Sequence, residues 1–210
     1  MYSEKYNCIF VHIPRTGGTS IEEVIWPIME NRTEAELWMG FVDPYHNKYQ
    51  TGGLQHLLAM QIRQEIGEAV FNRCYRFTVV RNPWDKAVSQ YSLMKYRKGL
   101  RDFIGMQEND DFKTYLSLIQ RREHVQWMPQ FRFFLDENGE QLVNFIARFE
   151  NFNDDVSTIL GELDIKVDAI PHSAVNKTVR GNYRQYYDDE SVEMIRQIYR
   201  QDIELLDYEF

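Results

Sequence analysis

The chain has 210 residues, 43% hydrophobic and 27% charged, and a formal net charge of -8 at pH 7. That balance suits a soluble globular protein with one well-buried core and excludes a disordered chain. An acidic total lacks the positive field that nucleic acid or an anionic membrane surface needs, so an anionic ligand must be met by local cations. The two cysteines, Cys8 and Cys74, make no disulfide framework and fit a reducing compartment. No run approaches the ~20 apolar residues of a membrane span, and the first strand begins too near Met1 for a signal peptide, so a cytoplasmic location is expected.

Residues 8–13, CIFVHI, form an apolar run rich in β-branched and aromatic residues and too short for a helix, which predicts a strand buried on both faces. Pro14 ends it. Gly17 and Gly18 follow, and Ile21, Val24, Ile25 and Ile28 then recur at helical spacing, so a helix starts directly after the glycines. A strand, a glycine turn and a helix N-terminus bring unpaired N–H groups and a positive dipole end to one point, an arrangement suited to phosphate. This is not a Walker A loop. Five residues before Gly18 stands Ile13, the residue before Thr19 is glycine rather than lysine, and the cation, Arg15, lies on the other side of the glycines.

Pro27 is expected to kink or end the first helix. Residues 31–53 show no period, and their aromatics either line a substrate cleft or fold back on the core. Residues 56–67 read as a helix with His56 at its start and Gly67 as its stop. Tyr75–Val80 is predicted as a second strand, broken at Arg81-Asn82-Pro83-Trp84, where proline suits the first helical position and Ser89 falls about two turns into the helix. A core-facing helix over 111–120, a turn at 136–139, a third strand over 142–149 and a helical stripe from Phe152 to Leu163 follow. Residues 164–187 read as loop, with Lys177, Arg180 and Arg184 as a basic cluster, before a last helix through Val192, Ile195, Tyr199 and Leu206. Strands alternating with helices predict an α/β fold in a single domain over 1–210, with a central, mainly parallel sheet flanked by helices and ligands beyond the carboxyl ends of the strands.

Six segments carry a resemblance: IPRTGGTS at 13–20, HLLAMQIRQEIG at 56–67, FTVVRNPWDKAVSQYS at 77–92, WMPQ at 127–130, IARFENF at 146–152 and NKTVRGNYRQYYDDE at 176–190. Together they resemble the sulfotransferases that use 3'-phosphoadenosine 5'-phosphosulfate, in particular carbohydrate sulfotransferases of the heparan sulfate 2-O-sulfotransferase type. The resemblance implies a P-loop-like sulfotransferase fold and in-line transfer of a sulfuryl group to an acceptor hydroxyl, with a sugar or polysaccharide as partner and no metal. It implies that Arg15, Thr16, Gly17, Gly18, Thr19 and Ser20 bind the 5'-phosphosulfate, that Arg81 and Ser89 hold the 3'-phosphate, and that Lys177 and Arg180 close over the nucleotide.

Transfer to a neutral hydroxyl needs a base, and His56 is the candidate, because its family counterpart begins the helix between the phosphate loops and imidazole titrates near neutral pH. Arg15 stands where most relatives have lysine; a guanidinium cannot give up a proton, so it acts as a charge clamp on the leaving oxygen and not as an acid. His12 reads as a hydrogen-bonded core residue, and His46, His124 and His172 as loop residues. Glu150 either orients a catalytic group or closes a strand-to-helix junction by capping, the second being favoured, and Trp84 packs near the adenine or in the core. The acceptor cleft is expected from residues 31–53 and 124–130. Two other readings stay open: a nucleotide-binding module without chemistry, and an ATP-dependent kinase, which the missing Walker lysine disfavours.

Overall fold

A computed structural model describes residues 1–26, 56–171 and 182–210. Among these, four strands form one sheet in the order β1-β2-β3-β4. The strands are β1 (Tyr2–Ser3), β2 (Cys8–Val11), β3 (Tyr75–Val80) and β4 (Phe145–Arg148). β1 runs antiparallel to β2, whereas β2, β3 and β4 are parallel. The predicted α/β sheet is therefore present.

Register explains why three loops converge. Val11 lies opposite Thr78, and Val80 opposite Arg148, so the parallel strands run out at neighbouring levels on one edge. Alternate residues go to opposite faces, as a two-residue period requires. Ile9, Val11 and Val80 join one core with Trp84, Val88, Tyr115 and Phe133, whereas Cys8, Phe10, Phe77, Val79 and Ala147 join another with Ile21, Val156 and Ile159. The sheet is thus the middle of three layers, and the runs at Cys8 and Tyr75 are apolar throughout because both faces are covered.

On either side of the sheet lie α1 (Gly18–Ile25), α2 (Ala59–Ile66), α3 (Glu68–Arg73), α4 (Pro83–Met94), α5 (Lys98–Ile104), α6 (Phe112–Ile119), α7 (Phe131–Phe134), α8 (Phe152–Glu162), α9 (Asp189–Ile198) and α10 (Arg200–Leu206). Asp111 caps α6 by accepting from the Thr114 N–H at 2.8 Å, which fixes the start that the apolar stripe predicts. Pro27 and the segment 31–53 lie outside the described residues. The expected helix over 56–67 begins only at Ala59, because the Gln61 side chain accepts the Leu58 N–H (2.9 Å) and caps the helix there, which leaves His56 in the lead-in. The last helix is broken at Tyr199, whose hydroxyl reaches the Trp127 carbonyl at 2.8 Å. The third strand is shorter than predicted, and β1, α3 and α5 are additions that the sequence pattern did not announce.

Candidate active site

β2 gives way to His12, Ile13 and Pro14, and then to Arg15, whose φ of 69° lies in the left-handed region that residues other than glycine seldom occupy. The Thr16 hydroxyl donates to the Ile13 carbonyl (2.9 Å) and closes the turn. Gly17, with φ 91°, is the N-cap of α1; no side chain caps the helix, and its first turn carries no acid. The dipole and the leading N–H groups of α1 are therefore not neutralised from within the helix. Neither glycine has room for a Cβ: one at position 17 would lie 2.8 Å from the Phe152 ring, and one at position 18 would lie 2.2 Å from His12 Nε2. Ser20 is buried and its hydroxyl makes no hydrogen bond among the described residues, while Thr19 is exposed.

β3 ends at Val80, and Arg81 follows, with its guanidinium aimed back at the first loop. Nε and Nη2 of Arg81 donate to Asp85 Oδ2 (2.8 and 2.6 Å), Nη1 donates to the Arg15 carbonyl (2.9 Å), and the group stacks 3.9 Å above the centre of the Phe149 ring. Arg15 Nε in turn donates to Ser89 Oγ on α4 at 3.1 Å. The two junctions are thus tied in both directions. The Gln130 carboxamide clasps the Arg81 main chain at both its N–H (2.9 Å) and its carbonyl (2.8 Å). Asp202 on α10 accepts the N–H groups of Gln130 and Phe131 at 2.7 and 2.8 Å. Glu150 accepts the Asn82 N–H (2.6 Å) and the Tyr208 hydroxyl (3.1 Å), so it closes a junction on the neighbouring strand rather than its own.

His56 is buried, and its Nδ1 lies 2.9 Å from the carbonyl oxygen of His12. A carbonyl only accepts, so Nδ1 carries the proton and Nε2 keeps its lone pair. Burial, with the nearby charge of His12 second, holds its pKa well below the ordinary histidine value of 6.5. Lys86, one turn before Ser89, is also buried. Its Nζ is 3.5 Å from the Met128 carbonyl and 5.4 Å from the centre of the Tyr199 ring, and burial lowers its pKa to about 8, while Asp202 pulls it upward and Arg81 and Arg15 push it down. Asp202 is pushed up to about 6 by burial, against the pull of the two N–H groups it accepts.

The structure therefore brings Arg15, the 16–20 loop, Arg81 and Ser89 to one place, and it attaches His56 to the same loop through His12. Lys177, Arg180, His46 and His172 lie outside the described residues. Trp84 packs in the core against Phe210 and donates from Nε1 to the Val192 carbonyl (3.2 Å). Of the segment 124–130, His124, Trp127, Met128 and Pro129 line a separate groove of about 410 Å³ with Arg122, Arg132 and Ile198. Burial lowers the pKa of His124 to about 4. Among the described residues no cluster of acids, histidines and cysteines could hold a metal ion, and no helix is long and apolar enough to cross a membrane. Phe149, Lys86 and Gln130 were not singled out as site residues by the sequence. Each stands inside a segment the motifs did mark, but nothing in the spacing said which neighbour faced inward.

The family model described as the sulfotransferase family matches residues 1–209. An uncharacterized protein of Archaeoglobus fulgidus is 26% identical over 133 residues, which covers 60% of this chain and 97% of the relative. The crystal structure of a sulfotransferase from Alicyclobacillus acidocaldarius superposes with a TM-score of 0.51 at 15% identity, covering 97% of this chain and 96% of the other, which shows a shared fold. With the family model spanning all but the last residue, the chain belongs to the sulfotransferase family.

Proposed function

We propose that the protein transfers a sulfuryl group from 3'-phosphoadenosine 5'-phosphosulfate to a hydroxyl of a carbohydrate acceptor of the type modified by heparan sulfate 2-O-sulfotransferases, with His56 as general base. The observation that carries this reading is the pair of contacts Arg81 Nη1 to the Arg15 carbonyl and Arg15 Nε to Ser89 Oγ, which draws the two junctions together, as a donor with a phosphate at each end requires. The residues suit such a donor. Arg15, Arg81 and Lys86 supply positive charge within an acidic chain, an uncapped helix end supplies N–H groups, and Ser20 has a buried hydroxyl without a partner among the described residues. When bound, the nucleotide supplies an activated sulfuryl group on a phosphate leaving group.

The chain's own residues then divide the work. His56 Nε2 takes the acceptor's hydroxyl proton as the new O–S bond forms, and its neutral ring stays available as a base well into mildly acidic pH. Arg15 and the amides of the 17–18 turn meet the negative charge that develops on the leaving oxygen. Three of the five N–H donors of Arg81 already face Asp85 and Arg15, so this residue braces the first loop and offers its remaining donors to the 3'-phosphate. Lys177 and Arg180 are carried as closing residues of the same proposal, and so is the cytoplasmic location.

Incubation with the donor and a panel of glycans should release adenosine 3',5'-bisphosphate; wild-type protein that neither binds donor nor releases product would overturn the proposal. Replacement His56→Ala is expected to lower kcat by about 10²–10⁴-fold while bisphosphate affinity stays nearly unchanged. The acid limb of the wild-type pH–rate profile should lie below pH 6.5, since a base with a lowered pKa stays unprotonated further into acid. ATP failing to compete with the bisphosphate in a binding assay would set aside a kinase.

A further inference from the structure

His12 stands one residue beyond β2, is 5% exposed, and meets the strand, the helix and the glycine turn of the first junction. Its ring stacks on Phe10 with centroids 5.0 Å apart and planes 15° apart, and it meets the His56 ring edge-on at 4.5 Å. Its Nδ1 lies 2.7 Å from Glu22 Oε1 on α1, as a close ion contact rather than an aligned hydrogen bond. Its Nε2 fills the space below Gly18, 2.2 Å from where a Cβ would stand. Its own carbonyl accepts the Nδ1–H of His56.

A core-filling ring would need only the stack on Phe10. Here the backbone of one residue selects the nitrogen of His56 that keeps a lone pair, while its ring fixes the plane of the base and the depth to which the glycine loop sinks. Glu22 belongs to the same helix whose N-terminus opens at Gly18, so the wedge is tied to the helix that the loop leads into.

We propose that His12, anchored by Glu22, is a positioning residue that sets the spacing between the phosphate loop at Gly18 and the base His56. The proposal rests on the reading of His56 as the base. The groups that bear on the protonation of His56 are His12, the buried amino group of Met1 and His124, with Glu22 facing His12. Of these charges His12 acts most strongly, so its removal eases protonation of His56 and moves the acid limb of the pH–rate profile to higher pH.

The test is a double-mutant cycle read by thermal unfolding, together with pH–rate profiles. Gly18→Ala should lower the unfolding temperature and the affinity for adenosine 3',5'-bisphosphate, and adding His12→Ala should restore part of both, because the added methyl group then has somewhere to go. His12→Phe keeps the wedge, so its donor KM should stay within about twofold while its acid limb rises toward neutral pH. His12→Ala should lower kcat about tenfold or more with the same displacement of the limb. Additive effects of Gly18→Ala and His12→Ala in an active enzyme, or an acid limb that stays in place in both His12 variants, would overturn the proposal. The unfolding cycle uses no turnover: a coupled cycle in a wild-type protein that neither binds nor reacts removes the assigned reaction and the base's part in this proposal, and leaves the loop contact standing.

Discussion

At the end of β2 the chain enters α1 through Gly17, with no side-chain cap and no acid in the first turn. At the end of β3 it enters α4 through Asn82, whose carboxamide accepts the Trp84 N–H at 3.0 Å, with Pro83 at the first helical position and Asp85 in the first turn. Both strands run in the same direction, yet one helix end is left without a side-chain cap and the other satisfies its own. Under the proposed function, binding at the first junction falls to the backbone, and at the second to side chains, Arg81 and Ser89 above all. A backbone site tolerates no Cβ, whereas a side-chain site should lose strength in steps.

The sharpest break of that contrast is Gly17→Ala. A left-handed backbone costs about 1–2 kcal/mol for an L-residue and crowding against a packed ring adds about 1–3 kcal/mol, so a loss of about 2–5 kcal/mol in chemical denaturation is expected, together with loss of donor binding. Next comes Arg81→Met, which removes the bonds to Asp85 and Arg15 and the stack on Phe149. About 2–3 kcal/mol should be lost, and calorimetry should show weakened bisphosphate binding with the base intact.

A third effect separates the junctions by pH. An unfolded lysine keeps its proton to about pH 10.5, while buried Lys86 beside the second junction sheds it near pH 8. Within that window the unfolded chain binds the extra proton, so the contribution of Lys86 to stability rises with pH. Buried thiols and phenols, Cys8 and Tyr199 among them, keep protons that the unfolded chain loses over the same range and act in the opposite sense. The contribution is therefore read as the difference between wild type and Lys86→Met, which should widen in favour of the wild type by on the order of 2–3 kcal/mol from pH 8 to 10.5. The smallest change is Asn82→Ala, which should cost about 1–2 kcal/mol as a lost cap and a lost hydrogen bond to the Glu209 carbonyl; a fall as large as the upper end for Gly17→Ala would erase the distinction between the junctions.

How legible these features were in the sequence follows from how local they are. Tyr75–Val80 is bounded as predicted because its apolar run meets an Asn-Pro pair, and α6 begins where Asp111 announces a cap. The strand, glycine turn and helix start at 8–25 were legible for the same reason, since the signals for the turn sit within eight residues. β1 has two residues and carries no period, α3 and α5 are too short for an apolar stripe, and the break at Tyr199 comes from a contact with Trp127, 72 positions away. The bracing of Arg81 by Gln130, and of Gln130 by Asp202, likewise spans 49 and 72 positions, over which spacing says nothing about who meets whom. His12 was read as a core residue because a strand pattern reports burial, not what the buried ring touches.

Asn82 Nδ2 donates to the carbonyl of Glu209 at 2.8 Å across 127 positions, and Tyr208 secures Glu150 beside it. A nascent chain emerging from the ribosome can lay down β2, β3 and β4 long before either partner exists. Securing the second junction therefore waits on residues made after all four strands, and a translation intermediate halted before Asp202 would carry both loops and Gln130 without the carboxylate that braces it.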